Sequence, residues 1–229
     1  MRGVNTYSSN LSDADIAAGK HRQHVGGAWD EIGRHQFDYL LAQGLEPRHR
    51  LLDVGCGAMR GGVHFAAFLD PGNYYGIDVN DRLLEAARRV ELPAAGLTER
   101  VPAENLRVTA TFESDFGVGF DFALAQSVFS HLPLNHIRLC MFQVAKAMQP
   151  GGRFFATFFR APDDLPYDAT QRQVHVTTHP ERDPFHYRVS ELEWAAGVAD
   201  WDFHYIGDWG HPRGQQIVEL RRRGGPPAH

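Results

Sequence analysis

The run Leu51-Leu52-Asp53-Val54-Gly55-Cys56-Gly57 constrains the chain more than any other feature. A short apolar segment leads directly into a glycine-rich turn. Glycine lacks a Cβ, so such a turn bends sharply and lets the backbone approach a ligand closely. A strand that ends this way and feeds a helix opens a βαβ unit, which needs parallel strands beside it.

The chain supplies those strands. Asn73 to Val79 (NYYGIDV), Leu106 to Thr111, Phe120 to Ala125 (FDFALA) and Arg153 to Phe159 (RFFATFF) read as further strands. Helical patterns alternate with them at Val63–Leu69, Arg82–Leu92 and Leu134–Met148, the last stopped by Pro150-Gly151-Gly152. The strands are nearly continuous apolar runs, which predicts a sheet covered on both faces. Upstream, Trp29, Ile32, Phe37, Leu40 and Leu41 fall near helical spacing, with Gly44 and Pro47 as a stop. Downstream, Ser190-Glu191-Leu192-Glu193 fits a capping box opening a helix. Two last strands, Phe203–Ile206 and Gln215–Leu220, flank a turn over 207–214 that leaves no room for a crossover helix. They must therefore pair antiparallel. The expectation is one domain over residues 1–229, with an N-terminal lid at about 1–35 and a Pro-, Asp- and His-rich cap at about 161–188.

Bulk properties narrow the partners. The formal net charge of −5 gives no electrostatic reason to expect nucleic acid or an anionic membrane. Arg221, Arg222 and Arg223 read as the solvated end of a strand. The two cysteines, Cys56 and Cys140, offer neither a disulfide framework nor paired zinc-ligand spacing. No apolar run follows a basic segment near the N-terminus, so no secretory leader is expected and the cytoplasm is the default compartment. A homodimer is the commonest assembly by base rate.

Two ligand classes use a glycine turn after the first strand. A dinucleotide site wants a third glycine where this chain has Arg60, and Asp53 is unfavourable beside a pyrophosphate. Asp53 suits a cationic ligand instead. Asp78 ends the second strand, 25 residues after Asp53, close to the spacing of a carboxylate that grips ribose hydroxyls.

This combination resembles the class I S-adenosylmethionine-dependent methyltransferases over roughly Leu51 to Phe159. The resemblance rests on LLDVGCG, YYGIDVN, FDFALAQSVFSHLP and MQPGGRFFATFF together. One departure is Met59, which stands at the last glycine position of the family's GxGxG loop; Gly61 and Gly62 follow and are expected to supply the flexibility. The resemblance implies an α/β fold: a Rossmann-like, doubly wound, mostly parallel seven-stranded sheet with an antiparallel last strand. It also implies S-adenosylmethionine as cofactor. Gly55, Cys56 and Gly57 would face its methionine part and Asp53 its amino group. Asp78 would hold the ribose, flanked by Val79 and Asn80. Ser114 and Asp115 would border the adenine, and Gln126 and Ser127 would close the site.

For the acceptor, the Asn/Asp-Pro-Pro-aromatic motif of amino-methylating family members is absent at Ala125-Gln126-Ser127-Val128. His131 follows the fourth strand closely and is the candidate general base for a hydroxyl acceptor on a small molecule or sugar; a loop-shaping histidine is the competing role. Trp29, Arg60, His211 and Gln215 are candidate acceptor contacts. Asp163, Asp164, Asp168, His175, His179 and His186 crowd the cap but match no metal-ligand pattern, so no metal ligand is assigned and magnesium stays open as an additional cofactor. Methylation of a carboxylate or amine, a nicotinamide-dependent enzyme, and a silent cofactor-binding module are the alternatives.

Overall fold

A computed structural model describes residues 11–224. In chain order the elements are α1 (Asp13–Ala17), α2 (His21–His24), α3 (Trp29–Ala42), β1 (Leu51–Val54), α4 (Gly62–Phe68), β2 (Tyr74–Asp78) and α5 (Asp81–Ala86). A π turn at Ala87–Glu91 carries α5 into α6 (Leu92–Ala94), followed by β3 (Leu106–Val108), β4 (Phe120–Ala125), α7 (Leu134–Ala147) and β5 (Met148–Arg160). Then come β6 (Gln171–Gln173), β7 (Val176–Thr178), β8 (His186–Tyr187), α8 (Val189–Ala196), β9 (Trp201–Asp208) and β10 (Gln216–Arg222).

Seven strands lie in the order β3-β2-β1-β4-β5-β10-β9. Strands β1 to β5 pair parallel, whereas β10 runs antiparallel to both β5 and β9. The short β8 adds a parallel pair at the end of β5, through Phe159 and His186. This is the expected α/β architecture. Strand β1 sits between β2 and β4, so the chain leaves it in opposite directions across the sheet. A crevice opens outside the carboxyl ends of the strands at such a switch point.

Period-two side-chain alternation builds the two faces. On β5, Phe154, Ala156 and Phe158 join the core beneath α7 and α8, while Phe155 joins the core beneath α3 and α4. On β4, Ala123 and Ala125 take the first side and Phe122 and Leu124 the second. Each fully buried aromatic or leucine side chain contributes about 1.5–3 kcal/mol, and both faces are filled with them.

Several boundaries differ from the expected ones. Strand β5 starts at Met148, not Arg153, and its register against β4 shifts between Phe120 and Phe122. The strand runs on through Pro150 and Gly151, which the apolar pattern reads only as a stop; its pairs with β4 are Met148 with Phe120 and then Arg153 with Phe122. Helix α8 opens at Val189; Arg188 is its cap residue, and Glu191 accepts a 2.7 Å hydrogen bond from the Arg188 N–H. The Ser190–Glu193 capping box is therefore corrected by two residues. The cap is a β6–β7 hairpin followed by β8.

The lid expectation falls partly on residues 1–10, outside the described residues. From Leu11 onward the segment forms two short helices held by polar anchors. Glu91 is the main one. Its carboxylate lies 2.6 Å from His21 Nε2 and accepts 2.8 Å bonds from Arg22 Nε and Nη2. Burial pushes the Glu91 carboxyl up, but the bonds from Arg22 and His21 outweigh it and hold the group below its ordinary range. Side-chain periodicity does not reveal such a fastening, because it uses charges rather than an apolar stripe.

Removing one partner of a buried ion pair costs about 3–5 kcal/mol. Glu91→Gln keeps the shape and removes the charge. Hydrogen exchange of the amides in residues 20–27 should then accelerate by about 100-fold or more, with the exchange of β4 and β5 changed far less. Equal acceleration throughout the sheet would show that Glu91 supports the whole fold instead.

Candidate functional site

The crevice beside β1 holds a cavity of about 470 Å³. Its walls come from the ends of β1, β2 and β4 and from the N-terminal segment. The turn after β1 shapes the floor. Gly55 and Gly57 have φ values of 70° and 56°, in the left-handed region that favours glycine. A Cβ on Gly55 would come within 2.5 Å of Val128 Cγ2, so glycine is required there on both counts.

Met59 also takes a left-handed φ, 68°, where the family loop has its last glycine. Such backbone costs about 1–3 kcal/mol in a non-glycine residue. The fully buried Met59 side chain, packed in the core with Phe65 and Tyr74, offsets it. Gly61 and Gly62 do not supply the flexibility expected of them. They permit close packing: an added Cβ would lie 2.5 Å from Gln36 Oε1 and 2.4 Å from Tyr74 Oη, respectively.

Two carboxylates face this cavity. Asp78 accepts 2.8 Å hydrogen bonds from the Gly57 and Asn80 N–H groups. Burial pushes its carboxyl up, opposed by the backbone bonds from Asn80, Gly57 and Val79. Asp53 accepts a 2.8 Å bond from the Tyr74 hydroxyl. Burial pushes Asp53 up to about 7; the Tyr74 bond opposes the shift and the nearby Asp78 charge adds to it. Two buried acids on one cavity wall suit a ligand that brings a cation and hydroxyl donors.

The end of β4 forms a polar network. Ser127, at φ 59°, donates its N–H to Thr157 Oγ1 at 2.7 Å and its hydroxyl to Gln215 Oε1 at 3.0 Å. Gln126 Nε2 lies 3.0 Å from His211 Nε2. Burial, with the neighbouring His35, Arg213 and Arg60, pushes His211 down to about 3, so it is neutral. Gln126 Oε1 is buried with no hydrogen-bond partner among the described residues, and Gln126 lines the cavity. A bound ligand can meet that acceptor.

Residues 52–154 match the family of methyltransferase domains. Solved structures share the fold over nearly the whole chain. The amino pentose methyltransferase CalS10 from Micromonospora echinaspora is 18% identical, covers 94% of this chain and 99% of its own, and superposes with a TM-score of 0.62. The magnesium protoporphyrin IX methyltransferase ChlM from Synechocystis, solved with its methyl donor bound, is 15% identical, with coverage of 94% and 87% and a TM-score of 0.59. The methyltransferase CcbJ from Streptomyces caelestis is 16% identical, with coverage of 86% and 97% and a TM-score of 0.64. Residues 52–154 thus match a methyltransferase domain, on a fold shared with S-adenosylmethionine-dependent methyltransferases.

The expected site residues divide into three groups. Asp53, Gly55, Cys56, Gly57, Arg60, Asp78, Val79, Gln126, Ser127 and His131 line the cavity. Asn80, His211 and Gln215 stand behind that wall, bonded to Asp78, Gln126 and Ser127. Ser114, Asp115 and Trp29 are not part of the wall. Ser114 is buried with its hydroxyl on the Phe112 carbonyl, and Asp115 accepts from the Gly117 N–H. Thr109, Ala110 and Phe112 occupy the wall where Ser114 and Asp115 were expected, because β3 stops at Val108 and the loop turns inward at once. Trp29 packs beside Ile16, Ala58 and Leu83, with the Arg22 guanidinium 4.9 Å from its ring. Val25 forms the lid's part of the wall instead.

Arg60 is buried, and its Nη1 donates to the Val25 and Gly27 carbonyls at 3.0 and 3.1 Å. It clamps the N-terminal segment over the cavity. Cys56 is buried with its thiol pushed well above the usual range, first by burial, which makes it a filler and not a nucleophile. Among the described residues no group of three or more His, Cys, Asp or Glu is placed to hold a metal ion, the acids and histidines of the cap included. No described helix is long and apolar enough to cross a membrane.

Sequence reasoning missed Asp183. Its carboxylate pairs with Nδ1 of His131 across 52 residues of chain. No local pattern links a cap residue to the β4 loop.

Tyr74→Phe removes the hydrogen bond that favours the charged form of Asp53. The Asp53 midpoint, followed by carboxyl-carbon NMR, should move above its wild-type value of about 7. Because burial raises the folded pKa, this group lowers stability as pH rises between its unfolded and folded values. In Tyr74→Phe that loss should extend to higher pH, and an unmoved midpoint would remove Tyr74 from the account.

Proposed function

We propose that this enzyme methylates a hydroxyl group on a small molecule or sugar, with His131 as general base. The observation that carries the reading is the pairing of His131 Nδ1 with the Asp183 carboxylate at the wall of the cavity. A carboxylate on Nδ1 orients the ring and selects the tautomer in which Nε2 carries the lone pair. A loop-shaping histidine needs no buried carboxylate partner.

The residues present fit S-adenosylmethionine. Asp78, already oriented by the backbone N–H groups of Gly57, Val79 and Asn80, would offer its carboxylate to the ribose hydroxyls, with Val79 and Asn80 at its sides. Asp53 faces the cationic amino group, next to the backbone of Gly55 and Gly57. Thr109, Ala110 and Phe112 border the adenine, and Gln126 Oε1 offers an unmet acceptor. When bound, the cofactor supplies a methyl group activated on a sulfonium. The protein aligns the acceptor oxygen with it, an effect that supplies about 7–11 kcal/mol in well-oriented systems. Transfer to the acceptor oxygen would break the methyl–sulfur bond and release S-adenosylhomocysteine, and His131 would take the hydroxyl proton. His211 and Gln215 act from behind by fixing Gln126 and Ser127.

Asp78→Ala should lose saturable binding of S-adenosylhomocysteine in calorimetry while remaining folded. Retained binding would sink the ribose assignment. Binding of the same ligand to the wild type should strengthen as pH rises from 6 to 8, because Asp53 ionises near 7 and only the charged form attracts the amino group. Asp53→Asn should flatten that dependence.

Against a panel of hydroxyl acceptors, His131→Ala should lower turnover by about 10²–10⁴-fold, with S-adenosylhomocysteine affinity unchanged. Near-full activity would discard the base, and activity confined to carboxylates or amines would discard the hydroxyl acceptor.

A further inference from the structure

A second cavity of about 370 Å³ lies under the cap and is not used by the reading above. It is within the size range of small-molecule sites. Pro133, at the start of α7 and two residues from His131, lines both cavities. Its walls are flat and apolar where Phe185 and Tyr187 stack at 6.1 Å with an interplanar angle of 21°. Tyr187 is held there by its hydroxyl bond to the Leu132 carbonyl. Leu165 and Tyr167 line it from the cap loop, and Tyr167 is 74% exposed.

One polar group in this wall is unmet. Arg188 donates from Nη2 to the Leu165 carbonyl at 2.6 Å, but its Nε is buried without a partner among the described residues. A buried guanidinium N–H without an acceptor is costly, and a ligand oxygen relieves it. The cavity is also tied to the base. Glu181 and Phe185 line it, and the loop between them carries Asp183 to His131. The Phe185 N–H holds that loop to the Ser130 carbonyl at 2.7 Å.

We propose that the second cavity is a subsite for the far end of an extended methyl acceptor. That end is a flat, aromatic body bearing an oxygen that accepts from Arg188, while the reacting hydroxyl lies beside His131. The placement of the reacting end rests on the hydroxyl-acceptor reading; the subsite itself is tested by binding alone.

The probes are phenol, 4-hydroxybiphenyl and 4′-hydroxybiphenyl-4-carboxamide, titrated into the full chain saturated with S-adenosylhomocysteine. The biphenyl should bind at least about tenfold more tightly than phenol, since it buries a second ring, and the carboxamide more tightly again. Leu165→Trp fills the cavity from the cap loop. It should bring both long probes down to the phenol level, leaving phenol and S-adenosylhomocysteine unchanged. Arg188→Gln should remove the carboxamide's advantage only. Tyr167→Ala, at an exposed position with little bearing on folding, should weaken the two long probes and not phenol.

A biphenyl no tighter than phenol in the wild type overturns the subsite. So does an advantage that survives Leu165→Trp, or survives Tyr167→Ala should the tryptophan variant fail to fold. None of these readouts needs turnover. Failure of the His131 base would appear as undiminished methylation in His131→Ala, with the affinity ladder intact.

Discussion

The site depends on how closely the chain can pass itself in the turn from Gly55 to Gly62. Side chains press on that turn from three sides: Val128 from the β4 loop, Gln36 from α3 and Tyr74 from β2. With no Cβ at the glycines, the turn sinks between these neighbours and opens the cavity above it. Met59 shows that conformation and packing are separate demands. It adopts the strained backbone and roots it with a buried side chain, whereas Gly61 and Gly62 have ordinary backbone and need only to be small.

Tyr74 links the turn to the charges. Its ring is buried in the core under α4, and its hydroxyl reaches Asp53. Packing thereby sets the position of a carboxylate whose ionisation lies near neutrality. Asp78, bonded by the turn's own Gly57 N–H, is placed by the same few residues. The two acids are thus fixed by the geometry of one loop and one tyrosine, so their separation is not left to flexible side chains.

The strand order and the two acids of the cavity were legible because both follow short-range rules: apolar runs, glycine turns, and an acid at a strand end. Asp53, Gly55, Gly57 and Asp78 lie within or beside the strands that announce them. The start of β5 was not legible, since proline and glycine read as breaks even where the strand bulges through them between Met148 and Arg153. Ser114 and Asp115 do not line the cavity, where Thr109, Ala110 and Phe112 stand, and nothing in the sequence marks how early β3 ends. The contacts of Asp183 with His131 and of Glu91 with His21 span 52 and 70 residues. Such pairings are fixed by the fold, not by spacing, so only the structure reveals them.

The clamp on the N-terminal segment has a property of its own. Arg60 and Arg213 hold the carbonyls of Val25, Gly26 and Gly27, and no side chain of the segment takes part in those bonds. Carbonyls are the same in every residue. Substitution at Val25 can therefore alter the wall it presents to the cavity while the grip stays as it was. Mechanical attachment and chemical lining are carried by different atoms of the same residue, which leaves the pocket's selectivity open to change by single mutations that do not loosen its cover.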